Sequence, residues 1–331
     1  MQDRSRPPQV AVVIPCYKVI DHILGVIAGI GPECQRIYVV DDCCPDRSGD
    51  FVQQHCRDPR VKILRHDSNQ GVGGAVMTGY RAALADHCDI VVKIDGDGQM
   101  DPALLPRFVA PIVDGTADYT KGNRFFHLDS LKVMPRARLI GNALLSLLTK
   151  LSTGYWNIFD PTNGYTAIHA KVLRELPLDK LSRRYFFESD LLFRLSILRA
   201  VVTDIPMHAR YGDEVSNLRI GRIVGEFLRK HLRNFAKRVF YNYYLRDMSL
   251  ASLQLPLGCA LLSFSLLFGG YHWWLSWHSG VAAPTGTVIL AALSLLLGVQ
   301  FVLAFLAHDI AATPQRVLHT LLPDSEPPVS R

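Results

Sequence analysis

Charged residues are absent from two long stretches near the C-terminal end of this 331-residue chain. Residues 249–277 and residues 284–308 contain no Asp, Glu, Lys or Arg. Each stretch exceeds the roughly 20 apolar residues that a helix needs to cross a bilayer. Three tryptophans end the first stretch, where an aromatic belt would meet the membrane interface. The absence predicts two membrane-spanning helices, about 250–277 and 284–308, and it disfavours the alternative of two buried helices in a soluble core.

Cysteine spacings typical of disulfide frameworks or zinc sites are also missing. The seven cysteines include no CxxC pair and no Cys/His ligand pattern, so we expect reduced thiols without a structural metal. The glycine-rich stretch 69–80 lacks the lysine of a P-loop and is interpreted as the entry into a helix. The first residues are hydrophilic and show no signal-peptide pattern. Nothing in the sequence indicates nucleic acid as a partner.

Lysine and arginine are distributed unevenly around the apolar stretches. Residues 219–246 carry eight of them, whereas the link between the two spans, residues 278–283, carries none. The positive-inside rule therefore predicts an integral protein of the inner or plasma membrane with its N-terminal part in the cytoplasm. The basic segment would contact membrane lipids through their anionic headgroups. The predicted organisation is a cytoplasmic domain (1–215), a basic juxtamembrane helical segment (216–247), two spans (248–310) and a disordered cytoplasmic tail (311–331).

Runs of β-branched residues alternate with helical segments along the first hundred residues. We predict strands over 9–17, 36–42, 60–66 and 88–97, with helices following the first strand and over 71–85. This alternation indicates an α/β fold with a doubly wound, mostly parallel sheet that is covered on both faces. Ligands of such sheets bind beyond the carboxyl ends of the strands, and acidic pairs follow the second and the fourth strand there.

The second of these pairs belongs to the stretch KIDGDGQMDP at 93–102. Asp95 and Asp97 are separated by one glycine, and Gln99 follows two residues later. Two carboxylates held this close repel one another unless a positive charge lies between them. Carboxylate and amide oxygens are ligands suited to Mg²⁺ or Mn²⁺. Such an ion usually takes further ligands from a substrate diphosphate, so the pattern predicts a metal-dependent diphosphate site.

An ordered set of motifs resembles the inverting GT-A glycosyltransferases of family 2. The motifs are VVIPCY, VVDDCCPD, NQGVGGAVMTGY, KIDGDGQMDP, KGNRF and DPTNGY, and with them the resemblance covers about residues 9–220. Within the family the chain is most similar to polyprenyl-phosphate sugar transferases of the dolichol-phosphate mannose synthase type that carry two C-terminal membrane spans. The resemblance implies a GT-A domain, a juxtamembrane amphipathic helical segment and a two-helix transmembrane hairpin.

The resemblance also implies roles for individual residues. Asp95, Asp97 and Gln99 would hold the metal, and Arg124 and Arg138 would grip phosphates of donor and acceptor. Asn142 stands where the family has a serine near the acceptor phosphate, and Val19 replaces a usual acidic residue. The implied nucleotide-binding residues are Pro15, Tyr17, Asp41, Asp42, Gly96 and Arg210.

The function that follows is a metal-dependent hexosyltransferase with a nucleotide-sugar donor and a polyprenyl phosphate acceptor, undecaprenyl or dolichyl phosphate. Two alternatives stay open. One is a transferase of the same fold that acts on a lipid-linked glycan hydroxyl, with Glu188 or Asp190 as its base. The other is a catalytically silent nucleotide-sugar-binding scaffold. The aromatic segment 238–247 could pack between subunits, which would make the protein a homo-oligomer.

Overall fold

The structure is a computed structural model that describes residues 6–126, 136–208 and 220–323, with only the backbone described for 136–138 and 220–223. It divides into two compact units. The first comprises Met1–Asn234 and Pro314–Arg331, and the second comprises Phe235–Thr313. The predicted domain boundaries at 215 and 247 stay predictions.

The first unit is built on a seven-stranded sheet. The strands are β1 (Val10–Cys16), β2 (Cys34–Asp41), β3 (Val61–Arg65), β4 (Ile90–Lys93), β5 (Tyr119–Asn123), β6 (Thr166–His169) and β7 (Val202–Pro206). Their order in the sheet is β3-β2-β1-β4-β6-β5-β7. Only β6 runs antiparallel to its neighbours β4 and β5, while the other described pairs are parallel. The mostly parallel sheet confirms the predicted fold class.

Both faces of this sheet are covered because successive residues of its strands are apolar. Ala11 and Val13 of β1 lie in one core cluster, and Val12 and Ile14 lie in another on the opposite face. Side chains alternate across a strand, so a continuous apolar run needs helices on both sides. The helices of this unit are α1 (Ile20–Ala28), α2 (Ser48–His55), α3 (Val72–Ala85), α4 (Leu105–Val113), α5 (Arg136–Thr153), α6 (Ala170–Glu175), α7 (Phe187–Leu198) and the first part of α8 (Ile220–Phe240).

The second unit contains the two apolar helices as an antiparallel hairpin. Helices α9 (Leu250–Ser279) and α10 (Thr285–Ala311) are both long and apolar enough to cross a bilayer. They pack closely at small residues: a Cβ added to Gly298 would lie 3.0 Å from the backbone nitrogen of Leu262. Ser265 Oγ also donates a hydrogen bond to the carbonyl oxygen of Ala291, at 2.8 Å. Small residues and interhelical hydrogen bonds are typical of helix contacts in membranes.

A buried ion pair within the second unit joins the end of α8 to the end of α10. Arg238 donates two hydrogen bonds to the carboxylate of Asp309, at 2.6 and 3.0 Å, and the Tyr243 hydroxyl donates a third at 2.6 Å. Both charged side chains are buried. Part of the aromatic segment 238–247 is therefore used within the chain. Its packing between subunits remains a prediction.

The tail that follows the hairpin is ordered as far as the structure describes it, which corrects the prediction of a disordered segment from 311 onward. Residues 314–322 pack against the first unit, where Leu318 and Leu322 contact the larger core cluster. The backbone N–H groups of Leu318 and His319 donate to the buried carboxylate of Asp118, at 2.8 and 2.7 Å. The prediction failed because the docking partner lies 200 residues away in the sequence. Residues 324–331 lie outside the described residues.

Asp118 lies directly before β5, at the edge of the sheet opposite the carboxyl ends of the parallel strands. It also accepts the N–H of Val201, at 2.8 Å, and the ring of His319 stacks on His169 with 4.1 Å between centroids. Burial alone would raise the pKa of Asp118, but these hydrogen bonds outweigh it and lower that pKa. Burial, followed by the nearby His319, lowers the pKa of His169 to about 3. The tail is thus held by a charged acceptor whose partners are mostly backbone groups.

We expect Asp118→Asn to loosen the tail and to lower the free energy of unfolding by about 2 kcal/mol. The substitution replaces one carboxylate oxygen, which accepts hydrogen bonds, by an NH₂ group that would face backbone N–H donors. Protease sensitivity of residues 314–322 would measure the loosening, with exposed Asp114→Asn as the matched control. The pKa of Asp118 is lower in the folded protein than in the unfolded chain, where it is near 3.9. The ionised carboxylate therefore stabilises the fold at every pH above the unfolded pKa, and this stabilisation is lost as the pH falls through the folded pKa. Equal protease sensitivity of wild type and Asp118→Asn would contradict this role.

Candidate functional site

The candidate site lies at the carboxyl ends of β1 and β4, where the order of the strands reverses. The neighbours of β1 are β2 on one side and β4 on the other. Such switch points form crevices in which open α/β sheets bind ligands. A cleft of about 770 Å³ opens there. Six of the predicted site residues line it: Pro15, Tyr17, Asp42, Asp95, Gly96 and Asp97.

Asp95 and Asp97 occupy a tight turn directly after β4. Gly98 has a φ of +75°, in the left-handed region that favours glycine, and it reverses the chain direction. The N–H of Gln99 donates to Asp97 Oδ1 at 3.0 Å and orients that carboxylate. Both carboxylates are half-buried in the wall of the cleft. The turn therefore brings the two acids of the predicted metal site to one surface.

A buried lysine lies beneath this turn. Lys93 Nζ is 2.8 Å from Asp95 Oδ1 and 3.1 Å from Glu188 Oε1, and the lysine side chain is 1% exposed. Burial alone would lower the pKa of Lys93, but the charges of Asp95 and Glu188 outweigh it and raise that pKa. Burial raises the pKa of Glu188, and Lys93 partly opposes this shift. Lys93 therefore carries its charge and compensates two carboxylates at once.

Gly164 of the DPTNGY motif leaves the space that this ion pair occupies. A Cβ at position 164 would collide with Asp95 Oδ2 and lie 2.5 Å from Lys93 Nζ. Both atoms belong to buried or half-buried groups with little room to move. A side chain at position 164 would displace the ion pair, which explains the glycine in physical terms.

The donor atoms of the turn fit a hard divalent cation. Asp95 Oδ1 is buried and makes no aligned hydrogen bond to any described group, although Lys93 lies within ion-pair distance of it. Asp97 offers a second carboxylate on the same wall, and the half-buried Gln99 follows it without lining the cleft. Within the described ranges no group of three or more His, Cys, Asp or Glu is placed to hold a metal. An ion bound here would therefore need ligands from a substrate or water as well.

The acidic pair after β2 separates into two environments. Asp42 lines the cleft, and its carboxylate accepts the N–H groups of Gln70 and Gly71 at 2.8 and 2.7 Å. His66 Nδ1 is 2.7 Å from the same carboxylate. Asp42 thus holds the loop that leads into α3 against the cleft.

Asp41, in contrast, is buried away from the cleft. Its two oxygens accept the N–H groups of Cys44 and Gly49, at 2.8 and 2.9 Å. These two hydrogen bonds stabilise the turn from β2 into α2. Asp41, which the resemblance implies as a nucleotide-binding residue, does not line the described cleft.

Of the arginines implied by the resemblance, the structure describes the side chain of Arg124 alone. Arg124 donates to Asp160 through Nε and Nη2, both at 2.8 Å, and among the described residues it does not line the cleft. Burial alone would raise the pKa of Asp160, but Arg124 outweighs it and lowers that pKa. Asn142 is half-buried on α5. The side chain of Arg138 and the whole of Arg210 lie outside the described residues.

The cleft also contains residues that the motifs did not single out. Lys18, Arg184 and Tyr185 line it, and Lys18 Nζ lies 5.9 Å from the centre of the Tyr17 ring. The sequence offers one signal for this part of the cleft, the pair of adjacent arginines in SRRYFFESD, a pair that ends four residues before Glu188. Sequence reasoning missed these arginines because their segment is more than 80 residues from the turn that contains Asp95 and Asp97.

Comparison with known proteins identifies the family to which the chain is similar. The family model described as Glycosyl transferase family 2 matches residues 11–177, which is half of the chain. The undecaprenyl-phosphate mannosyltransferase of Micrococcus luteus is 32% identical over 223 residues, which cover 66% of this chain and 90% of that protein. The UDP-N-acetylglucosamine–dolichyl-phosphate N-acetylglucosaminyltransferase of Methanococcus voltae is 26% identical over 60% of this chain and 85% of its own.

Solved structures show the same fold. The crystal structure of glucosyl-3-phosphoglycerate synthase from Mycobacterium tuberculosis, in complex with Mn²⁺, UDP and glucosyl-3-phosphoglycerate, superposes with a TM-score of 0.53. It is 19% identical, and the match covers 70% of this chain and 80% of that one. At this identity the likeness concerns the fold alone.

Proposed function

Because this chain belongs to glycosyl transferase family 2, we propose that it is a hexosyltransferase that moves one sugar from a nucleotide-diphosphate donor to a polyprenyl phosphate at a membrane surface. One observation carries the proposal. Asp95 and Asp97 line a cleft at the strand switch point in a chain that also contains two helices able to cross a bilayer. The names of the two sequence relatives, both transferases to a polyprenyl phosphate, support this acceptor class.

Asp95 and Asp97, with Gln99 close by, would hold Mg²⁺ or Mn²⁺ together with the donor diphosphate. The ion would act as a Lewis acid that neutralises charge on the departing nucleotide. Lys93 keeps Asp95 in place from beneath, at 2.8 Å. Pro15, Tyr17 and Asp42 line the part of the cleft assigned to the nucleotide. The fold neighbour in complex with Mn²⁺ and UDP supports a divalent ion in a site of this kind.

The acceptor needs no side chain to remove a proton. A phosphate monoester has a second pKa near 6, so at neutral pH it is mostly a dianion whose oxygen can attack the anomeric carbon directly. Attack on the face opposite the leaving group would convert an α-linked donor into a β-linked product. The task of the protein is to bring two anions together, which requires cations near both. Arg124 and Arg138 remain our candidates for that charge, with Asn142 beside the acceptor phosphate.

The placement of the two candidate bases favours this mechanism over transfer to a hydroxyl group. Asp190 is buried, and its Oδ2 accepts the N–H of Ser182 at 2.9 Å. Glu188 is paired with Lys93. Among the described residues neither acid lines the cleft, and a base must reach the proton that it removes.

Membrane attachment is supported by two exposed apolar stripes in the first unit. Ile140, Leu144 and Leu147 of α5 are 61%, 58% and 47% exposed. Val224 and Leu232 of α8 are each 57% exposed. Residues at these helical spacings share one face, and a helix with such a face can lie in the interfacial region of a bilayer. The stripes would place the cleft-bearing unit on the membrane that contains the acceptor.

The basic residues before the first span orient this unit toward the cytoplasm. We expect a cysteine introduced at Ser279, the last residue of α9, to react with an impermeant maleimide added outside intact cells. A cysteine introduced at exposed Arg233 should react only after permeabilisation. The test requires a background in which the exposed Cys43 and Cys259 are replaced. Labelling of both positions from one side would exclude the hairpin.

Donor turnover decides between the proposed function and its alternatives. Purified protein is incubated with UDP- and GDP-linked sugars, Mg²⁺ or Mn²⁺, and one of four acceptor conditions: undecaprenyl phosphate, dolichyl phosphate, a lipid-linked glycan or no acceptor. We expect nucleotide release that requires both metal and polyprenyl phosphate and that persists in Asp190→Asn. Turnover only with a lipid-linked glycan, lost in Asp190→Asn, would establish the hydroxyl-acceptor alternative. Donor binding without turnover under every condition would establish the silent scaffold.

A further inference from the structure

We propose that Arg184 binds a phosphate group in the cleft that the carboxylates of the candidate metal site also line; this inference rests on the proposed function. Arg184 is exposed and lines the cleft together with Asp95 and Asp97. Among the described residues no carboxylate lies within ion-pair distance of Arg184, whereas Arg124 is bound to Asp160 through two N–H groups. Arginine presents a planar fork of donors that matches phosphate oxygens.

The segment that carries Arg184 is fixed at both ends. The N–H of Ser182 donates to Asp190 Oδ2 at 2.9 Å, and the N–H of Phe187 donates to the carbonyl oxygen of Arg184 at 2.8 Å. Phe187 is fully buried in the core. Glu188 then pairs with Lys93, which contacts Asp95 in turn. The arginine and the metal-binding turn are therefore parts of one connected framework.

The first turn of α3 braces the same segment. The N–H of Gly74 donates to the carbonyl oxygen of Arg183 at 3.2 Å. Gly71 has a φ of +83°, and a Cβ there would lie 2.9 Å from Arg184 Cγ. The absence of a side chain at Gly71 lets the stem of Arg184 lie against the helix. A side chain whose base is held in this way loses less conformational freedom when it binds a ligand.

The charges of the cleft leave a role for this cation. Asp42, Asp95 and Asp97 line the cleft, and Lys18 and Arg184 are its basic residues among those described. A divalent ion would compensate the two acids of the turn. A diphosphate brings further negative charge, which requires a positive group on its other side. These two basic residues come from different parts of the chain. Lys18 belongs to the loop after β1, and Arg184 belongs to the segment before α7.

The adjacent Arg183 provides a matched control. Arg183 is exposed like Arg184, but it is not among the described residues that line the cleft. Removal of either guanidinium changes the net charge by the same amount. A difference between Arg183→Ala and Arg184→Ala therefore reports position and not overall charge.

The first experiment tests whether Arg184 binds a phosphate of the nucleotide donor. The full-length protein is titrated calorimetrically with UDP and GDP, in Mg²⁺ or Mn²⁺ and without acceptor. We expect Arg184→Ala to raise the Kd of the nucleoside diphosphate about tenfold to a hundredfold, which is the usual effect of losing a charge-assisted hydrogen bond. Arg184→Lys should recover only part of the loss, because the bidentate fork is missing. Arg183→Ala should stay within about twofold of wild type.

The second experiment tests whether Arg184 binds the phosphate of the acceptor, by measuring KM for undecaprenyl phosphate in the same variants. An unchanged nucleotide Kd with a tenfold higher KM would assign the bound phosphate to the acceptor and would also support the proposal. Unchanged values in both experiments, with a wild type that binds nucleotide, would overturn it while leaving the proposed function intact. A wild type that binds neither nucleotide in the presence of metal would instead refute the proposed function, and the inference with it.

Discussion

Asp97→Asn is expected to lower the rate of sugar transfer by about a thousandfold while the fold is retained. The amide keeps an oxygen that can accept the N–H of Gln99, which Asp97 Oδ1 accepts at 3.0 Å, so the turn should survive. A neutral amide is nevertheless a poorer ligand for Mg²⁺ or Mn²⁺, and it leaves the diphosphate charge uncompensated. Initial rates with polyprenyl phosphate over a range of Mn²⁺ concentrations would measure the effect.

Asp101→Asn is the matched control for this prediction. Asp101 belongs to the same stretch, but its Oδ1 accepts the N–H of Ala103 at 3.2 Å and caps a short helical turn. It does not line the described cleft. We expect its rate to stay within a few-fold of wild type. A folded Asp97→Asn protein with wild-type turnover at limiting Mn²⁺ would show that the metal assignment is wrong.

Lys93→Met is expected to produce the largest loss of stability, about 3–5 kcal/mol, because it leaves two buried or half-buried carboxylates without their counter-ion. Lys93 lies 2.8 Å from Asp95 Oδ1 and 3.1 Å from Glu188 Oε1. Methionine fills a similar volume, so the loss reports charge more than packing. The corresponding fall in apparent Tm is about 10 °C for a domain of this size. Thermal unfolding in detergent, monitored by intrinsic fluorescence, would measure it.

A double variant separates the ion pair from the packing. Glu188→Gln removes one of the two negative charges, so Lys93→Met combined with Glu188→Gln should recover part of the lost Tm. Residues in direct contact are expected to show such non-additive effects. Additive losses in the two single variants and the double variant would mean that Lys93 and Glu188 do not stabilise each other.

Several parts of the fold and site could be predicted from local patterns. The four strands 9–17, 36–42, 60–66 and 88–97 were all found, with differences of a few residues at their ends. The last of these ends four residues earlier than predicted, because a β-ladder requires a paired neighbour and the chain turns after Lys93. The turn at Asp95 and Asp97 was predictable because glycines mark it and strand ends meet at one edge of a parallel sheet.

The sequence by itself determined which segments form strands and apolar helices, because β-branched runs and uncharged stretches act through residues that are neighbours in the chain. It also determined the two acids of the candidate metal site. Only the tertiary structure decided which distant groups meet: the tail with Asp118, Lys93 with Glu188, Arg124 with Asp160, and Arg184 with the cleft. These contacts join residues that are 36 to 201 positions apart. Their partners depend on how the helices pack on the sheet, and no local pattern encodes that packing.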